Sequence, residues 1–205
     1  RILGPDHPRT LISRNNLAES YREAGRLDEA ITLHERNLAD RLRILGPDHP
    51  SIFGSRSNLA GAYYAAGRLD EAIDLLEQSL SDRLRVLGPD HPDTLTARNN
   101  LAFAYRDAGR LDEAIDLLEQ SLSDRLRVLG PDHPDVLGAR NNLAFAYRDA
   151  GRLDEAIDLY ERVLADCRRI MSPDHPSIFL FRNNLAEAYL RTGGLDRAID
   201  LYEQN

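Results

Sequence analysis

Apolar positions along the chain form two kinds of stripe that alternate, and each kind returns after 42 residues. From Pro92 onward, Leu95, Leu101, Ala102 and Tyr105 recur at near-helical spacing. From Asp112 onward, Ala114, Ile115, Leu118, Leu122, Leu126 and Leu129 do the same. Steps of three and four residues put such positions on one face of an α-helix. The polar stretches between stripes hold the breakers. Gly88 can adopt the left-handed geometry that closes a helix, and Pro89 prevents continuation. His91 precedes Pro92 and is pushed out of the helical region, whereas Pro92 suits a first helical position. Asp90 can accept from the free N–H groups there, and Asp93 sits in the first turn, where the dipole favours it. The pattern predicts a first helix from about Pro92 to Ala108 and a second from about Asp112 to Leu129. Two such helices joined by a tight turn at Gly109 make a hairpin about 25 Å long.

The whole chain is built this way. Gly-Pro-Asp-His-Pro begins at Gly4, Gly46, Gly88 and Gly130 and returns as Ser-Pro-Asp-His-Pro at Ser172. Asn-Leu-Ala recurs from Asn16, Asn58, Asn100, Asn142 and Asn184, and the Gly-X-Leu-Asp turn from Gly25, Gly67, Gly109, Gly151 and Gly193. Self-similarity without insertion or deletion marks an all-α solenoid, in which each unit buries its apolar face against its neighbours. The expectation is one solenoid over residues 1–205 with repeats at about 4–45, 46–87, 88–129, 130–171 and a shortened 172–205. Residues 1–3 match the end of a preceding second helix, so the chain reads as a piece of a longer protein.

Composition narrows the function classes. Of 205 residues, 26 are Lys or Arg and 34 are Asp or Glu, for a formal charge of −8. No net basic field exists to release phosphate counterions, which argues against nucleic acid as a partner. All the cations are Arg, so Schiff-base and phosphate-loop chemistry have no lysine to work with. Cys167 stands alone, which excludes an intrachain disulfide and points to a reducing, cytoplasmic compartment. No apolar run approaches the roughly 18 residues that span a bilayer, so no membrane partner is expected.

Candidate chemistry is sparse. His7, His49, His91, His133 and His175 occur once per repeat at a helix start, in a row roughly 10 Å apart by helix packing. Zinc ligands converge to about 2 Å from one ion, so these histidines read as caps and no metal is expected. The Asp-Glu pairs at Asp28, Asp70, Asp112 and Asp154 repeat too regularly for an acid–base dyad and read as dipole-matched helix starts. Cys167 replaces Arg83 and Arg125 of earlier repeats and reads either as packing or as a reactive thiol. His34 reads as a solitary surface residue. With no Walker loop, zinc-binding helix motif or nucleophile elbow, the chain is not expected to be an enzyme or to carry a cofactor.

Asn-Leu-Ala-X-X-Tyr followed by Gly-X-Leu-Asp-Glu-Ala and a Leu-rich second helix resembles the tetratricopeptide repeat. The 42-residue period, with Leu-Gly-Pro-Asp-His-Pro and Arg-Asn-Asn-Leu-Ala, is similar to the long-repeat subgroup typified by kinesin light chains and nephrocystin-like proteins. The resemblance implies a right-handed α-solenoid of helix-turn-helix units whose first helices line a concave groove for peptides or proteins. The groove positions it implies include Asn15, Glu19 and Arg22; Tyr64; Asn99, Phe103 and Arg106; Asn141, Phe145 and Arg148; and Asn183 and Glu187.

Two features of those positions carry the functional expectation. Asn is disfavoured within a helix, and one Asn per repeat offers a donor and an acceptor to an extended peptide backbone. The alternative is that one Asn of each pair bonds a neighbouring helix or loop. Phe103 and Phe145 stand where other repeats have Glu19, Gly61 and Glu187. They are either an apolar anchor for a partner, flanked by Arg106 and Arg148 for acidic groups, or packing between helices. The expected function is a peptide-docking scaffold with its specificity between the third and fourth repeats. Two further readings stay open: a homo-oligomer stacked through apolar repeat ends, and the interaction arm of a larger signalling protein.

Overall fold

The structure, a computed structural model, describes residues 4–172 and 175–204. The expected end of a preceding helix at residues 1–3, and Pro173 and Asp174 of the fifth loop motif, lie outside the described residues. All regular structure among the described residues is helical, in ten α-helices. They are α1 Pro8–Glu23, α2 Leu27–Leu45, α3 Pro50–Ala65, α4 Leu69–Leu87, α5 Pro92–Asp107, α6 Leu111–Leu129, α7 Pro134–Asp149, α8 Leu153–Ile170, α9 Pro176–Arg191 and α10 Leu195–Glu203. Odd-numbered helices are the first of each repeat and even-numbered ones the second, as the apolar stripes predict.

The helix starts follow the Pro-Asp-His-Pro chemistry with one change. Proline takes the first turn, but the capping atom is Nδ1 of the histidine. His7 accepts from the Arg9 N–H at 3.1 Å, His91 from Asp93 at 3.2 Å and His133 from Asp135 at 3.1 Å. The neighbouring aspartates serve elsewhere. Asp6 pairs with Arg43, Asp48 with Arg85 and Asp132 with Arg169, fastening the loop to the end of the second helix of its own repeat. These pairs are about half exposed and each adds little stability. Where Ser172 replaces the loop glycine, α8 ends one residue early with Met171 extended at φ −118°, whereas Gly130 closes α6 at φ 79°. A side chain disfavours the left-handed geometry that glycine supplies there.

Close packing divides the chain into two units, Arg1–Ala108 and Gly109–Asn205. In unit 1, α1 and α2 pair, α3 and α4 pair, and α2 packs on α3 as α4 packs on α5. Its core joins Ile31 and Leu38 of α2, Ile52, Phe53, Leu59 and Tyr63 of α3, and Ala72 of α4. Unit 2 repeats the scheme with α6 on α7, α7 with α8, α8 on α9 and α9 with α10. Val136, Leu137, Tyr160, Val163, Leu164, Cys167 and Ile178 are sealed in its core. In each unit successive first helices also touch, α1 with α3 and α7 with α9, so they stand side by side on one wall.

Two polar devices repeat within the units. A first-helix Arg bridges to a second-helix Asp of its own hairpin: Arg14 with Asp40 at 2.6 Å, Arg56 with Asp82, and Arg140 with Asp166. A first-helix Tyr donates to a Glu on the preceding second helix: Tyr63 to Glu35 at 2.6 Å and Tyr105 to Glu77 at 2.7 Å in unit 1, Tyr147 to Glu119 and Tyr189 to Glu161 in unit 2. Burial, reinforced by the carboxylate partner, pushes the Tyr63 and Tyr147 phenols up to about 12. The first device ties the two helices of a hairpin together, and the second fixes how one hairpin meets the next within its unit.

Candidate functional site

Each first helix presents to the wall the residues that follow its Asn pair. The second Asn of a repeat bonds the first Asn of the repeat before it. The Asn58 amide donates to Asn15 Oδ1 at 2.9 Å, and the Asn184 amide donates to Asn141 Oδ1 at 2.8 Å. Asn15 and Asn141 therefore have an inter-repeat structural task on their acceptor, while their Nδ2 groups carry donors that this bridge does not use. Ser57 breaks the series in unit 1; its hydroxyl donates instead to the Phe53 carbonyl at 3.0 Å.

In unit 1, Tyr64 is exposed and its hydroxyl donates to Asp107. That bond raises the Tyr64 phenol above its ordinary value, with burial adding to it. Arg106 also grips Asp107, at 2.7 Å, and lies 5.2 Å from the centre of the Phe103 ring. Phe103 is half-buried beneath it. In unit 2, Arg148 lies 4.0 Å over the Phe145 ring and reaches Glu187 of the next repeat at 2.8 Å, with Asp149 at 3.5 Å. Its side chain is only 4% exposed. A guanidinium stacked on a ring and bonded to a carboxylate is held in one orientation. Phe103 and Arg106 fall in unit 1 and Phe145 and Arg148 in unit 2, each pair making the same stacked contact within its own helix.

One residue sits where the sequence does not put it. His34 is 1% exposed, not a surface residue. It takes the place held by Leu76, Leu118 and Tyr160 in later repeats, so its helical position is an inward one whatever its polarity. Neither ring nitrogen has a hydrogen-bond partner, and Nε2 is 4.0 Å from Glu19 Oε2. Burial lowers its basicity; Glu19 opposes and Arg22 adds to that shift. One turn on, Asn37 is equally buried with both amide atoms unpartnered. Tyr160, the counterpart of His34 in unit 2, is fully buried with its hydroxyl unpartnered, and burial raises its pKa. Its electrostatic neighbours are Arg148, Asp149, Glu187 and Arg191. The place of His34, Leu118 and Tyr160 is thus a floor beneath the wall, which a strict repeat comparison of polar exceptions could have flagged.

The remaining candidates settle simply. Cys167 is wholly buried, and burial pushes its thiol up to about 11, so it is packing rather than a nucleophile. It fills the place where Arg41 reaches Ser55 Oγ at 3.0 Å and Arg125 approaches Asp135 at 3.8 Å. The loop histidines cap helices, and no group of His, Cys, Asp and Glu among the described residues has the arrangement to hold a metal ion. Among the described residues no helix is long and apolar enough to cross a membrane.

With this geometry in place, known proteins give a consistent picture. The signature of the tetratricopeptide repeat matches residues 1–41, 10–83, 51–126, 99–165 and 135–204. A putative kinesin light chain from Podosopora anserina, described by its nearly identical TPR-like repeats, is 36% identical, with a TM-score of 0.86 over 97% of this chain and 94% of that one. BtubC (BKLC) from P. vanneervenii shares the fold at 23% identity and a TM-score of 0.80, over 96% of this chain and 78% of that one. MamA from AMB-1 shares it more loosely, at 22% identity and a TM-score of 0.59, over 93% and 94%. No curated protein sequence matches the chain.

Proposed function

Because the chain belongs to the tetratricopeptide repeat family, a scaffold for protein–protein interaction, we propose that its first helices dock an extended peptide. One observation carries this reading. Leu17, Ala18 and Tyr21 recur unchanged in all five repeats, yet two positions beside them vary. One runs Glu19, Gly61, Phe103, Phe145, Glu187, and the other Arg22, Tyr64, Arg106, Arg148, Leu190. Two varying wall positions set beside an unchanged Leu-Ala-Tyr framework are what partner recognition requires of a repeat protein.

In this reading Asn15, Asn99, Asn141 and Asn183 hold the peptide backbone, and Tyr64 adds an exposed hydroxyl. Phe103 and Phe145 meet apolar side chains of the partner, and Arg106 and Arg148 meet its carboxylates, exchanging them for Asp107 and Glu187. The partner is a protein or peptide with apolar and acidic residues. A cytoplasmic setting agrees with the single, buried thiol. The test is a peptide-library selection on the wild type beside Phe103→Ala/Phe145→Ala. Enriched peptides should combine apolar and acidic residues and lose at least tenfold in affinity on the double variant. Unchanged affinity removes the two rings from the site, and no enrichment at all overturns peptide docking.

A further inference from the structure

Within unit 1 the wall has a step unlike the others, and it lies over His34. In unit 2 the corresponding step is filled: Glu187 reaches back to Arg148 at 2.8 Å and bears on the buried Tyr160 beneath. In unit 1 the place of Glu187 is taken by Gly61, which is exposed and where an added Cβ would meet nothing within 4 Å. With no side chain opposite, Arg22 turns back and bonds Glu19 Oε1 at 2.9 Å through its Nε. The other oxygen, Oε2, stands 4.0 Å from His34 Nε2. That gap is too long for a hydrogen bond, and both ring nitrogens lack a partner in the structure. Leaving a buried imidazole unpartnered is costly, and the side chain found at Leu76 and Leu118 would remove the cost.

We propose that Glu19, His34 and the notch at Gly61 form a subsite for a primary ammonium group, the side chain of a lysine on the docked peptide. The chemistry fits on three counts. An ammonium has three N–H donors and no acceptor. Glu19 Oε2 is one acceptor for it, and the sealed Nε2 of the His34 ring becomes the second once the Glu19 carboxylate, 4.0 Å away, gives way to the ligand. Glu19 and Glu23 against Arg22 leave one net negative charge at the step, which one cation balances. The missing side chain at Gly61 leaves open on this wall the place that Glu187 fills in unit 2. An anion would face two carboxylates, and a neutral amide would leave the charge unbalanced.

This inference rests on the peptide-docking reading for the identity of the ligand, but it can be tested without it. The probe is N-acetyl-lysine-N-methylamide, with the norleucine analogue as its uncharged match. NMR follows the His34 ring signals, assigned by their loss in His34→Leu. The lysine probe should shift them saturably, with a dissociation constant on the order of 1 mM. Norleucine should not, and both Gly61→Phe and Glu19→Gln should weaken the response at least fivefold. Gly61→Phe places in a helix, against open space, the residue already tolerated at Phe103, so loss of folding is not expected. Equal shifts with both probes, or a lysine response that survives Gly61→Phe, overturn the subsite. A peptide selection that succeeds without lysine at any position sinks this inference and leaves docking intact. A probe response with a failed selection does the reverse.

Discussion

Arg22 and Arg148 hold the same place in their repeats, yet the side chain of one is 35% exposed and that of the other 4%. What stands in the next repeat makes the difference. Arg148 finds Glu187 ahead of it and spans the step, lying over Phe145 and above the buried Tyr160. Arg22 finds Gly61 and folds back on Glu19, leaving His34 below without a partner. One framework thus yields a step closed by its own ion pair and a step left open, through changes at a single wall position and the floor beneath it. In repeat proteins of this kind, local chemistry is written in the pairings between neighbouring units rather than within any one of them.

The largest effect should come from breaking the closed step. Glu187→Ala leaves the nearly sealed Arg148 guanidinium with only the longer contact to Asp149, and should cost about 2 kcal/mol in urea unfolding, less than a fully buried pair because Glu187 is itself half exposed. Glu19→Ala removes an exposed pair one turn apart on α1 and should cost about 0.5 kcal/mol. If both variants lose the same amount, burial is not what separates the two steps.

An opposite sign is expected on the floor of the open step. His34→Leu replaces an unpartnered buried imidazole with the residue of the next two repeats and should stabilise the protein by about 1–2 kcal/mol near neutral pH. The gain should depend on pH. Burial holds folded His34 below the ordinary imidazole value, so the unfolded chain takes up the proton first as pH falls. Wild-type stability is therefore fully present above about pH 6.5 and declines below it, whereas His34→Leu lacks this decline. The difference in urea midpoint between the two should widen from pH 7.5 to 5.5; a constant difference would mean that His34 is already partnered by water or by Glu19.

The architecture was legible because local chemistry and repetition agree. The proline-histidine loops, the glycine ends and the apolar stripes of α5 and α6 each fix a boundary from a few neighbouring residues. Which aspartate or histidine caps the helix was less so, because both side chains suit the task and only geometry selects Nδ1. The site was half legible. That Phe103 and Phe145 stand at a varying position beside nearly constant Asn pairs follows from aligning the repeats. That Arg148 is engaged by Glu187, or that Asn58 bonds Asn15, depends on contacts between residues about forty apart, which no local pattern encodes. His34 was misread for a related reason. Polarity suggested the surface, but the alignment with Leu76 and Leu118 held the answer, since in a strict repeat the position determines burial before the residue does.

The smallest effect concerns what the two units share. Asn58→Ala and Asn184→Ala each remove one amide bond to the preceding repeat, the first in the unit with the open step and the second in the unit with the closed one. A half-buried hydrogen bond between neutral amides contributes about 1 kcal/mol, and here its loss also frees the acceptor of Asn15 or Asn141. Because the bridges have nearly the same length and join the same pair of positions, the two costs should agree within about 0.5 kcal/mol, as measured by urea unfolding. Equal costs would place the difference between the units in the wall step alone. A larger loss at Asn184 would show that the Arg148–Glu187 pair and the Asn bridge act together, and that the closed step stiffens the wall beyond its own ion pair.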